Sequence, residues 1–431
     1  MSTTERIAGS SAVPQIAVER NEGRVAVGRE APAAGAGAAA AVNTVIDGTT
    51  DHFVVAHDDN VPNGQALARS VLDSCENYYT KLKEIFGGVE PPPGIPVLYP
   101  DIGVPFHIHI RVGTTGATHG GCNNTSIWVD AFSGNDTTLI DALVVMEIDE
   151  VFMAAQGKSW DCGSSQGEAL SRLLAYDITG FTGNTPGYTW LAASNWLNSP
   201  RQDFVSYNDP NDGNFVTIGC GTLFLNYMRH ERGVTMERIV QLGAPELSTA
   251  LHTITGDPGD IYPFPPFKLL MHVHYPENFG AAPLALDNPF PLGLPTTPLD
   301  GLVHLQDIGD VGWMNDKFNG TIGQSRRIEG FELKINPPVP NLGIRYMAHI
   351  ENHGDVPYQA DGAFIGTRGQ GLRLEGFAVE LTGTAAPHYT VMYMANIQDI
   401  GLTPFFADGQ FCGTRGLSKR VEGMLVHVQP R

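Results

Sequence analysis

Apolar positions along the chain keep two different rhythms, and the change between them divides it. From Thr44 to about Pro276 helical and strand spacings alternate. Leu67, Val71, Leu72, Tyr78, Leu82 and Ile85 recur at helical intervals and predict a helix over Leu67–Ile85. Phe106–Val112 alternates between large apolar and polar side chains and predicts a strand, as does Ser126–Phe132. Gly113–Asn124 between them is a Gly/Thr/Asn loop. Thr138–Gln156 is long, apolar and helical, and Gly157 ends it. Helices are further expected at Ser165–Tyr176, Gly221–His230, Thr235–Leu242, Pro245–Ile254 and Phe264–His274. Strands first and helices afterwards predict an α+β domain over residues 45–276.

After Pro298 the rhythm becomes a repeat. Gly320-Thr321-Ile322-Gly323 recurs as Gly366-Thr367-Arg368-Gly369 and Gly413-Thr414-Arg415-Gly416. Each is followed by a basic-x-Glu-Gly unit: Arg327 and Glu329, Arg373 and Glu375, Arg420 and Glu422. Upstream, Gly309, Gly354 and Gly401 are each followed four residues later by an aromatic: Trp313, Tyr358 and Phe405. A period of 46 to 47 residues with so many glycines predicts about four short strands per copy. Three copies beginning near Leu302 would close on each other as an all-β, pseudo-threefold body of β-prism or β-trefoil type.

The Arg-x-Glu units are expected to pair as structural salt bridges, because i and i+2 on a strand share a face. The three aromatics are candidates either for a threefold core or for stacking on a ligand. Residues 1–44, with the Ala/Gly/Pro run Ala31–Ala41, read as a tail, and the Pro/Gly/Ala-rich residues 277–297 read as a linker.

Charge narrows the partners. The net charge is −20, most of it before Pro298, and such a surface repels nucleic acid and anionic lipid. No apolar run is long enough to span a membrane, and no Sec signal is visible, so a cytoplasmic location or export by another route is expected. Of the five cysteines, Cys75, Cys122, Cys162 and Cys220 fall in the first region, as two disulfides or as buried thiols; Cys412 has no partner in its own region.

The helix Thr138–Gln156 holds the candidate chemistry. Met146-Glu147-Ile148-Asp149-Glu150 places three acids in an apolar stretch, which is costly unless they meet a cation or donors. Glu147 and Glu150 share a face, as do Met146 and Glu150. With Gly167-Glu168-Ala169-Leu170 further on, and the strand–loop–strand–helix order before it, this resembles the HExxH helix of zincin metallopeptidases over roughly residues 100–180. The resemblance implies that Glu147 stands at the general-base position, Glu168 at the third-ligand position, and Met146 and Glu150 where the two histidines belong. It implies a degenerate, inactive site with no cofactor, or one that takes Ca²⁺, Mg²⁺ or Mn²⁺ rather than zinc.

His107-Ile-His109 and His272-Val-His274 read as ordinary surface or capping histidines. The glycine loop lacks the Lys-Ser/Thr of a phosphate loop.

The repeats resemble the clostridial hydrophobic-with-tryptophan repeats, except that the first Trp of that pattern is replaced by Asp310, Asp355 and Leu402. The two resemblances together predict a non-catalytic protein held to a surface glycan or a protein partner by its repeats. A hydrolase with a carboxylate-bound metal and a structural assembly component remain open as alternatives.

Overall fold

The computed structural model describes residues 42–92, 98–113, 116–131, 136–182, 190–243, 245–277, 288–313 and 315–431. The expected tail up to residue 41, Phe132 at the end of an expected strand, and linker residues 278–287 lie outside these. The chain divides into two compact units, residues 1–250 with 277–291, and residues 251–276 with 292–431.

The first unit is built on a mixed sheet. Its elements are β1 (Thr44–Thr49), β2 (Phe53–Asp58), α1 (Gly64–Ile85), β3 (Phe106–Val112), β4 (Ala117–His119) and β5 (Ser126–Ala131). Strand order is β1-β2-β3-β5-β4; β2, β3 and β5 run parallel, and the two edge strands are antiparallel. Strands β1 and β2 add to those the pattern marks. The β2–α1–β3 crossover makes the region α/β rather than a segregated α+β arrangement. Continuous apolar β2, buried along Phe53–His57, is what a parallel strand covered on both faces requires.

Helices follow: α2 (Thr137–Gln156), α3 (Ser165–Thr179), α4 (Ala193–Leu197), α5 (Phe215–His230), α6 (Met236–Leu242) and α7 (Leu247–Thr255). Asp136 caps α2 by accepting from the Leu139 N–H at 2.8 Å, and Gly157 ends it at φ 64°. Every residue from Leu139 to Met153 is buried, so α2 has no solvent face. Helix α5 starts six residues before the expected Gly221, because its glycines are contact points rather than breaks. A Cβ on Gly219 would stand 2.1 Å from the Ala192 carbonyl oxygen, and one on Gly221 2.7 Å from the Ala169 Cβ.

Packing of α1 on α2 buries Asp141, which accepts a hydrogen bond from Ser70 Oγ at 2.8 Å. Burial pushes its carboxyl up to about 6, against the lowering effect of Ser70. A folded value above the unfolded one means that this group's stabilisation is present below about pH 4 and lost as pH rises through about 6. Asp141→Asn is therefore expected to flatten the pH dependence of unfolding over that range, removing a swing of up to about 3 kcal/mol. Equal slopes for the two proteins in urea melts across pH 4 to 8 would contradict this.

The second unit takes in residues 251–255 of α7 and helix α8 (Phe264–His274), expected in the first domain but packed here within the repeat body. The first repeat gives β6 (Leu299–Leu305), β7 (Gly309–Gly312), β8 (Asn319–Gly320) and β9 (Ile328–Ile335). The second gives β10 (Gly343–Ile350), β11 (Gly354–Ala360), β12 (Ile365–Gly366) and β13 (Leu374–Thr382). The third gives β14 (Tyr389–Ile397), β15 (Gly401–Leu402), β16 (Phe406–Ala407), β17 (Cys412–Gly413) and β18 (Val421–Pro430).

These strands form three sheets, β7-β6-β9-β12, β11-β10-β13-β17 and β15-β14-β18-β8, with β16 also on β14. Each repeat lends its Gly-Thr strand to another repeat's sheet: β12 to the first, β17 to the second and β8 to the third. The exchange is cyclic, so no repeat completes its sheet alone.

The repeated motif residues make this exchange possible. The Thr N–H of each turn donates to the carbonyl of the Glu it meets: Thr367 to Glu329 (2.9 Å), Thr414 to Glu375 (2.8 Å) and Thr321 to Glu422 (2.8 Å). Gly366 sits at φ 126°, and a Cβ there would lie 2.3 Å from the Gly330 Cα; Gly413 and Gly320 repeat this against Gly376 and Gly423.

Candidate functional site

Helix α2 turns Glu147 and Glu150 to one place, as their spacing predicts. What they meet there is His119, on the three-residue edge strand β4. Its Nε2 lies 2.7 Å from Glu150 Oε2 and 3.6 Å from Glu147 Oε2. All three side chains are at most 1% exposed. His119 Nδ1 donates to the Asn124 carbonyl at 3.1 Å. A carbonyl only accepts, so Nδ1 carries a hydrogen, and one further proton must sit in the short contact between Nε2 and Glu150. One ligand atom from each of the three residues lies within 4.8 Å of the others.

Glu168, on α3, is turned to Arg172 one helical turn on. Arg172 Nε donates to Glu168 Oε1 at 2.9 Å, with Nη2 at 2.8 Å from the same oxygen, and both side chains are 1% exposed. Arg172 also donates to the Trp190 carbonyl at 2.8 Å and faces the Trp190 and Phe215 rings at 5.7 and 5.2 Å. Burial raises the Glu168 carboxyl to about 7; Arg172 opposes this and the nearby Glu150 adds to it. Asp149, on α2, accepts from Ser171 Oγ at 2.8 Å and is pushed well above the ordinary range by burial and by Glu150. Met146 is fully buried.

Of the four sequence candidates, the structure brings Glu147 and Glu150 together, holds Glu168 on an arginine, and buries Met146. Two residues that matter here, His119 and Arg172, lie outside the sequence reading. Arg172 carries a readable signal, its i,i+4 spacing from Glu168. His119 carries none, since only the pairing of β4 with β5 (His119 opposite Ile127) brings it to α2. The His107 and His109 pair is tied to Val104, Tyr99 and Asp58 by hydrogen bonds.

Cys122, three residues after His119, is bonded to Cys162, which precedes α3; Cys75, Cys220 and Cys412 are buried free thiols.

In the second unit each Arg-x-Glu unit closes on itself. Arg327, Arg373 and Arg420 each donate through Nε to Glu329, Glu375 and Glu422 at 2.9 Å. The three aromatics, equivalent in sequence, differ in surroundings. Tyr346 and Tyr393 fill the core beside Phe331 and Phe377, with centroids 5.1 and 5.6 Å apart. In the first repeat that position is Gly301, and Trp313 is the aromatic buried in this core instead. Tyr358 is exposed, donates to Glu380 at 2.8 Å and lies under Arg345 at 4.7 Å. Phe405 packs on His272 at 4.7 Å. A cleft of about 520 Å³ beside Trp313 is lined by Asp300, Glu332, Lys334 and Asp361 among others.

The profile of the family described as Clostridial hydrophobic W (ChW) matches residues 304–337, 349–383 and 396–430. Residues 304–430 carry three ChW repeats. No curated protein matches the chain. The ChW joints repeat a cluster. Asp310 is bound by His304 (2.5 Å) and by Arg368 of the second repeat (3.1 Å), whose guanidinium lies 3.5 Å from the Phe364 centroid. Asp355, His349, Arg415 and Phe411 repeat it with distances of 2.6, 3.0 and 3.5 Å. At the third joint the corresponding residues are Leu402, Asn396, Ile322 and Phe318: Leu402 and Ile322 replace the charged pair, and Asn396 donates to Glu422 at 3.1 Å. The Asp and Leu residues at the first Trp position of the ChW pattern thus serve contacts between repeats. No helix among the described residues is long and apolar enough to cross a membrane.

Proposed function

We propose that the chain is a non-catalytic binding protein: a zincin-like scaffold without its zinc, coupled to a ChW module that holds it to a surface glycan or a protein. The observation that supports this reading is that the candidate ligand carboxylates are engaged by the protein's own side chains. His119 with its proton stands on Glu150 and Glu147, and Arg172 stands on Glu168. Their burial supports the same reading, since a peptidase must expose its general base to substrate. Three sheets joined by cyclic strand exchange favour a β-prism over a trefoil for the ChW body.

The test is metal content and activity of the full-length protein. Elemental analysis is expected to find far less than one zinc per chain, and peptide-library digestion no cleavage above a Glu147→Gln control. A stoichiometric zinc lost in Glu147→Gln or Glu168→Gln, or cleavage abolished by Glu147→Gln, overturns the reading. For the ChW module, a glycan array with the full chain tests attachment. Tyr358→Ala is the clean probe because Tyr358 is exposed, whereas Trp313→Ala would open the core. No glycan signal from folded protein leaves a protein partner.

One observation favours the second reading, a hydrolase with a carboxylate-held ion. His119, Glu147 and Glu150 form an N/O donor set of the kind Mn²⁺ accepts. Mn²⁺ must displace the proton between His119 and Glu150, so its uptake would strengthen as pH rises.

A further inference from the structure

A second group of ligand atoms lies in the first unit, apart from the buried acids. The sulfurs of Cys122 and Cys162 and a carboxylate oxygen of Asp161 all lie within 4.8 Å of one another. Cys122 is half-buried and Asp161 exposed, so solvent reaches the group, while Cys162 is buried behind it. Asp161 is fixed in place: one of its carboxylate oxygens accepts the Gly163 N–H at 2.9 Å, and its carbonyl accepts Ser164 Oγ at 2.9 Å.

We infer that reduction of the Cys122–Cys162 bond converts this staple into a zinc site with two thiolates, the Asp161 carboxylate and one water as its ligands. Two sulfurs and one oxygen are a borderline donor set, which suits Zn²⁺ better than the hard ions. Tetrahedral zinc at about 2.3 Å from each sulfur needs the sulfurs about 3.8 Å apart. The Cα atoms are 6.0 Å apart, so side-chain rotation alone provides that separation.

The chemistry balances. A dithiol reductant delivers two electrons and two protons to the bond, becoming a disulfide itself, and leaves two thiols. Zinc then binds as both thiols lose their protons to solvent. The same two segments, the turn after β4 and the turn before α3, stay joined in either state, first by a covalent bond and then by the ion.

The experiment uses the full chain, oxidised or reduced with a phosphine that binds no metal strongly, titrated with Co²⁺ as a spectroscopic stand-in for zinc. The reduced protein is expected to take up one Co²⁺ with thiolate-to-cobalt charge-transfer absorption, displaced by Zn²⁺; the oxidised protein shows none. An ion on Glu147 and Glu150 would lack that absorption, so failure of the proposed function and failure of this site are told apart. Cys122→Ser and Cys162→Ser should each abolish the band, and Asp161→Asn should weaken affinity at least about tenfold, a loss typical even of groups that only support a ligand.

Charge-transfer absorption that survives Cys122→Ser, or its absence in reduced protein that is folded by circular dichroism, overturns the inference. The Cys122→Ser/Cys162→Ser double variant reports whether the chain folds without the link. If reduced protein unfolds, refolding on Zn²⁺ addition supports the site, and failure of zinc to restore the fold refutes it.

Discussion

A fragment starting at Leu251 is expected to melt in one transition, and one starting at Pro298 to melt about 10–20 °C lower and to bind a hydrophobic dye. The reason is the outer face of the third ChW sheet. Met392, Met394, Leu425 and Phe318 form a buried cluster there with Leu269 of α8, and Tyr262, Val273 and Phe405 pack around it. Polar anchors fix the same segment: Tyr262 donates to the Ile322 carbonyl at 3.3 Å, and Lys317 reaches Asp260 at 3.1 Å. Starting at Pro298 uncovers several of these side chains, a loss on the order of 5 kcal/mol. A chain ending at His388 should not fold at all, because it loses β17 from the second sheet and leaves β8 with no sheet to complete. Calorimetry and dye binding on the three fragments check this; melting points within about 3 °C for the two longer ones would refute the role given to α8.

The repeat body is legible in the sequence because each of its demands is written three times. Gly-Thr-x-Gly marks the exchanged strand, and Arg-x-Glu-Gly marks the strand that receives it. The dependence on α8 was also written there, in the departures from the repeat. Met392 stands where the other copies carry Asp300 and Arg345, Leu402 where they carry Asp310 and Asp355, and Ile322 where they carry Arg368 and Arg415. Apolar residues at three positions that are charged elsewhere mean a covered face. What a helical pattern does not tell is which body the helix covers, so α8 falls naturally into the first region when read by sequence order alone.

The candidate site divides in the same way. Glu147 and Glu150 follow from helical periodicity, which is local. His119 depends on a three-residue strand at a sheet edge, and no spacing rule connects it to α2. The fate of Trp313 turned on Gly301, a missing side chain in a neighbouring strand. Such absences become visible only once the repeats are laid on one another in space.

Arg172→Met is expected to destabilise the first unit by up to about 3–5 kcal/mol at alkaline pH, because there it strands a buried carboxylate. Glu168 has no exposure to fall back on, and Glu150 adds to the pressure on it. The only relief is a proton. Removing Arg172 takes away the partner that lowers the Glu168 pKa, so its folded value rises further above the unfolded one. The stabilisation of the protonated form is complete below about pH 4.5 and is lost as pH rises through the folded value. Because the wild-type value is already about 7, both proteins lose this stabilisation together up to about pH 7, and the variant's deficit should open above that and grow through pH 8 and beyond. Arg172→Met with Glu168→Gln should recover most of the loss, since neither buried charge then remains, and the double-mutant cycle measures the coupling directly. A cation arm ties this to function. If Glu147, Glu150 and Glu168 form a site for a hard ion, millimolar Mn²⁺ or Ca²⁺ should restore the melting point of Arg172→Met by mass action. If the arginine and histidine stand where an ion once did on a scaffold that no longer binds one, neither ion should move it, and a rise of several degrees would favour the metal-dependent hydrolase instead.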